Sequence, residues 1–292
     1  MKQKEEKRNV KKGRKYEIWR RIKRNKTAMI GLLILIVLIL MALFADVIGN
    51  YEKVAIEMNI SERLQTPSAS HWFGTDSYGR DVFTRIAHGA RVSLTIGFVA
   101  VTLSLIVGGI IGATAGYYGG RFDNYLMRFM DIIMAIPSTI FALAVVAALG
   151  PGLINLMLAI SIADIPNYAR IVRSSVLTIR NADFIEAARA AGANTYTIIS
   201  RHIIPNVMGP IIVQCTLGIG SAILNAAGLS FIGLGLQPPR PEWGGMLSEA
   251  KQFIQVAPHL IIIPGVFIAL AVLSLNLLGD GLRDALDPRL KD

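Results

Sequence analysis

The sequence predicts an all-α, polytopic membrane protein with about six transmembrane helices, and three observations predict it. Of its 292 residues 53% are hydrophobic and the mean hydropathy is +0.50, which is not the composition of a solvated globular domain. The apolar runs reach the length of about 20 residues that crosses a bilayer. The net charge of +10 sits at one end: residues 1–26 hold 13 Lys/Arg against three Glu, so the remainder of the chain is neutral. Strand-like alternation is missing from the apolar runs, and lipid-exposed backbone has to satisfy its own hydrogen bonds, so the spans are helices.

Residues 1–27 read as a basic cytoplasmic tail. Such a run could bind nucleic acid, but directly before an apolar span it fixes orientation and touches anionic lipid instead. Tyr16 and Trp19 suit an interfacial anchor beside it. The first transmembrane helix is predicted over 28–49, where Met29 to Phe44 carries no charge. It is too long, and its basic flank too extended, for a cleaved signal peptide. An extracytoplasmic connection follows at 50–91, with hinges at Gly74 and Gly79.

Residues 92–280 form the membrane core, with spans predicted at 92–118, 128–149, 151–167, 206–234 and 259–280. The fourth is short and ends near Asp164 and Pro166. Residues 281–292 are a cytoplasmic tail. With the N-terminus inside, six crossings return the C-terminus to the cytoplasm and place 168–205 inside, where Arg170, Arg173, Arg180, Arg189 and Arg201 belong. Loop 50–91 lies outside with Glu52, Glu57, Glu62, Asp76 and Asp81, as does 235–258.

Several motifs point away from chemistry in this chain. Gly74 to Asp81 has the glycine spacing of a phosphate loop, but Arg80 and Asp81 stand where Lys and Ser/Thr are needed. His71, His88, His202 and His259 are scattered, so no metal site is predicted. Met127, Met130 and Met134 share a helix face as packing residues. Cys215 lies in the fifth span and has no partner for an internal disulfide. No catalytic constellation is visible. Asp131 and Asp164 fall near span ends, where Arg128 or Arg170 can pair with them; proton coupling is the competing use.

The most informative segment is the polar insert around Glu186. Asp183 and Glu186 have the spacing of a helix start. Ala187, Ala188, Ala190 and Ala191 supply helix propensity without bulk, with Arg189 between them. Gly192 suits a left-handed helix end, Ala193 follows, Asn194 or Thr195 caps a second helix, and Pro205 stops it. The product is a helix-turn-helix knob whose small side chains let another protein approach closely, with Glu186 as one charge to pair.

Glu186-Ala187-Ala188, Gly192 and Pro205 fall at the spacings of the EAA loop, which resembles that of ABC importer permeases. Three further blocks resemble the second (C-type) permease of the dipeptide, oligopeptide and nickel class: Phe73 to Asp81 continuing to Leu94, Leu229 to Gly235 followed by Pro238 to Leu247, and Gly279 to Arg289. Together they cover about residues 70–292. The chain departs from similar proteins at Ile165-Pro166-Asn167, at Ile204 and at Asn225, where an acid is common.

The resemblance implies a type I ABC importer permease fold in a bacterial or archaeal cell membrane. It implies a homologous permease partner, two cytoplasmic ABC ATPase subunits that hold ATP and Mg, and an extracytoplasmic solute-binding protein. Glu186 to Ala193 and Pro205 would then be the ATPase-coupling residues, and the cargo a di- or oligopeptide, with nickel or another small solute as the alternative. Gly233 and Gly235 allow a helix break at the outer edge, Pro238, Pro239 and Pro241 stiffen the outer loop, and Trp243 is expected at the membrane interface. Arg283 with Asp280, Asp284 and Asp287 suggests a hydrogen-bonded end to the last helix.

Overall fold

A computed structural model describes residues 16–286, and these are mainly helical. The outer part of the basic tail and the terminal Asp287 to Arg289 lie outside the described residues. Residues 16–24 are helical, and Lys23 lies 5.2 Å from the centre of the Trp19 ring. Helix α1 (Lys26–Leu43) is capped by Asn25, whose side chain accepts from the Ala28 N–H.

Helix α2 (Val82–Tyr118) starts ten residues before the predicted second span. Arg85, His88 and Arg91 hide this start in the sequence, because each finds polar partners in the outer layer. Arg85 donates to the carbonyls of Ala55 and Pro239, His88 meets the Gly49 carbonyl, and Arg91 donates to those of Ala42 and Leu43.

The predicted third span is broken. Helices α3 (Gly120–Met134) and α4 (Ser138–Leu149) are bent by 82°. Pro137 sits at the break; it lacks an N–H and drives Ile136 out of helical geometry.

Helix α5 (Leu153–Leu177) overturns the opposite expectation, since it runs straight through Pro166 and ten residues beyond the predicted end. The polar loop therefore begins at Thr178, and Asp164 lies in mid-helix rather than near an end. Four helical stretches are individually long and apolar enough to cross a membrane, or five if the bent pair counts as one. Asp164, Asn167, Arg170 and Arg173 dilute α5 below that mark. After the knob come α7 (Ile204–Phe231), the outer helix α8 (Trp243–Ala250) and α9 (His259–Leu286), with α6 (Asp183–Ala190) in the knob itself.

Packing is built on backbone proximity. Gly108, Gly112 and Gly116 form one face of α2, laid against α5. A Cβ on Gly108 would stand 2.5 Å from the Ile165 carbonyl, and one on Gly116 2.9 Å from Val176 Cβ. A Cβ on Gly112 would penetrate the Ala169 carbonyl oxygen. Small residues at this spacing let helix backbones touch where no hydrophobic effect drives them together. On the other side α1 packs against α9, with Leu38, Ala42, Ala271 and Leu275 in a core that also holds Trp243.

Trp243 corrects the interfacial expectation. It is fully buried and its indole N–H donates to the Ile86 carbonyl at 3.1 Å. Gly244 beside it touches Ala227, which lets α8 sink into the bundle. Glu242 caps α8 by accepting from the Gly244 and Gly245 N–H groups, both at 2.8 Å, and burial pushes its carboxyl above the usual range.

The outer connection folds around Asp76, which accepts from the N–H groups of Tyr78 and Arg80. Arg80 and Arg85, both buried, share Asp76 and Glu249, so the connection is pinned to α8. At the other side of the molecule α9 continues past residue 280 to Leu286, and Asn25 donates to Asp284 at 3.3 Å.

Candidate functional site

Helix α6 starts without a side-chain cap: Ala182 holds the cap position, and Asp183 is the first helical residue. Asp183 and Glu186 both stand in the first turn, where the exposed N–H groups favour negative charge. Ile185 is fully buried against a cluster that includes Val172, Val176, Ile198, Ile203 and Val207, so one face of the knob is anchored to α5 and α7.

The helix end is a complete Schellman motif. Gly192 has φ +78°, its N–H donates to the Arg189 carbonyl at 2.9 Å, and the Ala193 N–H donates to the Ala188 carbonyl at 3.0 Å. A Cβ on Gly192 would meet nothing within 4 Å, so the demand for glycine is conformational alone. Asn194 caps the next turn by accepting from the Thr197 N–H at 2.8 Å.

Pro205 does not stop that second helix. The chain continues through a π-helical turn at Ile198–Ile203 into α7, and Pro205 lies at its start. The Ile204 N–H still donates to the Ile199 carbonyl of the π-helical turn, and Pro205, which has no N–H, follows it at the junction.

The solvent face of the knob carries Glu186, Ala187, Arg189, Ala190, Ala191 and Gly192 as exposed residues, with Ala188 and Ala193 half-buried. Phe184 and Tyr196, 44% and 80% exposed, flank this small-residue patch. Neither is singled out by the sequence motif; their position on either side of the alanines is the available signal. Arg189 lies over the Tyr117 ring at 5.0 Å, tying the knob to the end of α2, and Arg180 donates to the Gly116 carbonyl at 3.2 Å.

Behind the knob, α5 is clamped to α3. Arg173 makes a two-pronged pair with Asp123 at 2.5 and 2.6 Å, and Arg170 pairs with Asp131 at 2.7 Å. Of the two arginines expected near these acids, Arg170 is the one that holds Asp131. It does not pair with Asp164, whose side chain receives only the Asn167 amide at 3.4 Å. Met127 and Met130 pack with Ala115 and Ala169. Among the described residues no group of three or more His, Cys, Asp or Glu is placed to hold a metal ion.

The knob is thus a small helix at the end of a membrane bundle, anchored on one face and bare on the other. Residues 84–292 match the family described as binding-protein-dependent transport system inner membrane component. The chain belongs to that family. Residues 16–67 of this permease also match the N-terminal transmembrane domain of oligopeptide transport permease C.

Among curated relatives, the permease is 52% identical over 275 residues to the dipeptide transport system permease protein DppC of Alkalihalophilus pseudofirmus, covering 94% of this chain and 90% of that one. It is 46% identical over 276 residues to the glutathione transport system permease protein GsiD of Escherichia coli, covering 94% and 91%. Its fold aligns with inward-facing structures of the MetNI methionine ABC transporter at a TM-score of 0.58 and 18% identity, over 70% of this chain and 96% of that one. The permease is thus an all-α, multi-pass membrane protein with the ABC importer permease fold.

Proposed function

We propose that this permease forms half of the pathway of an ATP-driven importer of di- or oligopeptides and couples to ATPase subunits through the knob at Glu186 to Ala193. The observation that carries the coupling role is the knob's two-sided build. Ile185 is locked to α5 and α7, while Glu186, Ala187, Ala190, Ala191 and the aromatic flanks stay bare. A partner that seats on the bare face moves the spans through the buried one.

A homologous permease supplies the other half of the pathway. Two cytoplasmic ATPases bind ATP and Mg, and an extracytoplasmic solute-binding protein delivers cargo to the outer side. The basic tail meets anionic lipid with both termini cytoplasmic. ATP binding biases a two-state membrane equilibrium, because the ATPases contact the knob differently in the two states. The relatives named for dipeptide and glutathione transport favour a peptide cargo over nickel or another small solute.

Glu186→Lys tests the docking role. It is expected to weaken co-purification with the ATPases about tenfold, as loss and reversal of one interfacial charge does, while the pair with the partner permease survives. Unchanged recovery of the ATPases would remove Glu186 from the contact.

A further inference from the structure

We propose that Asp164 is the point on the translocation path that receives the ammonium group of the substrate. This inference rests on the peptide-import reading and adds the group that the path recognises.

Depth is the first ground. Helices α4 and α5 are joined by the short turn at Gly150 to Gly152, so they run as antiparallel neighbours. Ser138, the first residue of α4, lies 13 residues before Pro151, and Asp164 lies 13 residues after it. At 1.5 Å per residue both stand about 20 Å below the outer turn. In a hydrocarbon layer about 30 Å thick this is inside the layer, past its middle. Asp164 therefore shares its depth with the break at Pro137, where the start of α4 has no side-chain cap. The positive end of α4 eases an anion at that depth but supplies only about half a charge.

Orientation is the second ground. Ile154, Leu158 and Ile162 form an exposed apolar stripe along α5, the face suited to lipid. Asp164 is about 200° around the helix from Ile162. It shares a face with Met157, Ser161 and Tyr168, all buried. The Tyr168 hydroxyl abuts Gly218 on α7. Since α5 and α7 run in opposite directions, one turn outward brings Asp164 level with Ala222, beside exposed Ser221. Asp164 is half-buried, on the inward-packed side of α5 and away from the lipid stripe.

The third ground is the missing countercharge. Both arginines on α5 are committed elsewhere, Arg170 to Asp131 and Arg173 to Asp123. Among the described residues no Lys, Arg or His lies within ion-pair distance of Asp164, and Asn167 is a neutral donor. A carboxylate inside the hydrocarbon layer without a cation is costly to keep, and such groups mark pathways for ions or charged solutes. A peptide brings the missing charge as its N-terminal ammonium, and a charge-assisted hydrogen bond to Asp164 would form only while cargo passes.

The test uses the assembled transporter in proteoliposomes, with partner permease, ATPases and binding protein, and labelled alanyl-alanine as cargo. Asp164→Asn is expected to lower ATP-driven uptake about tenfold, the loss of one charge-assisted contact. Asp164→Glu is expected to retain most uptake, and both variants to assemble and to keep their binding-protein-stimulated ATPase activity. Wild-type uptake in Asp164→Asn overturns the proposal, as do equal losses in the Asn and Glu variants or a loss that tracks failed assembly. Uptake driven by a proton gradient without ATP, abolished in Asp164→Asn, replaces the ammonium with a proton and overturns it too. Absence of any ATP-driven alanyl-alanine uptake by wild type would instead remove the peptide reading itself.

Discussion

Gly112→Leu is expected to abolish the stable permease. The Cβ alone would enter the Ala169 carbonyl oxygen and stand 2.9 Å from the Arg173 N–H nitrogen, so backbone rather than a rotatable side chain must yield. Overpacking a well-filled core costs about 1–3 kcal/mol, and a clash with backbone falls at or above the top of that range. The helices α2 and α5 would separate, and the Arg173–Asp123 clamp one turn away would go with them. Gly109→Leu is the control, because its Cβ would meet only Leu105, at 3.8 Å. Thermal stability of the detergent-extracted complex, followed by size-exclusion chromatography, separates the two. Equal stability of the Gly112 and Gly109 variants would show that the α2–α5 seam does not depend on backbone contact.

Gly192→Val is expected to break coupling while leaving the bundle intact. At φ +78° a β-branched residue is strained by about 1–3 kcal/mol, and no neighbouring atom opposes it, so the turn alone relaxes. Both hydrogen bonds of the Schellman end are lost, and the exposed alanine face swings away from its partner. Uptake should fall about tenfold or more, with ATP hydrolysis persisting but no longer tied to transport. Gly192→Asn, which tolerates the left-handed region, should retain much of the wild-type uptake. Normal substrate-driven uptake in a well-expressed Gly192→Val complex would defeat the assignment.

These two glycines show how unevenly the sequence discloses the molecule. Gly192 was legible because helix ends are local: propensity, a run of alanines and one glycine specify the turn within eight residues. The spans were legible from hydropathy because lipid leaves the backbone little choice. Gly112 was not legible, since its role depends on α5, more than fifty residues away in sequence. The two prolines misled in opposite directions for a related reason. Pro137 breaks its helix, whereas Pro166 is buried within α5 beside the Ile165 carbonyl that Gly108 of α2 packs against. Residue type points Trp243 to the interface, but the Ile86 carbonyl and the close approach at Gly244 hold it inside. Phe184 and Tyr196 were visible yet passed over, because flanking aromatics carry no spacing rule.

The length of α2 has a mechanical consequence. Its 37 residues contain no proline and extend about 55 Å. The helix is fixed at one end to the buried charges around Arg85 and Glu249, and at the other meets the knob where Tyr117 lies beneath Arg189. It is therefore a stiff lever joining the two aqueous faces. A tilt of about 5° carries one end through an arc of about 5 Å relative to the other, given the helical rise. A push of ordinary size at the Tyr117 end thus becomes, without any hinge, a displacement as wide as a helix turn at the Arg85 end.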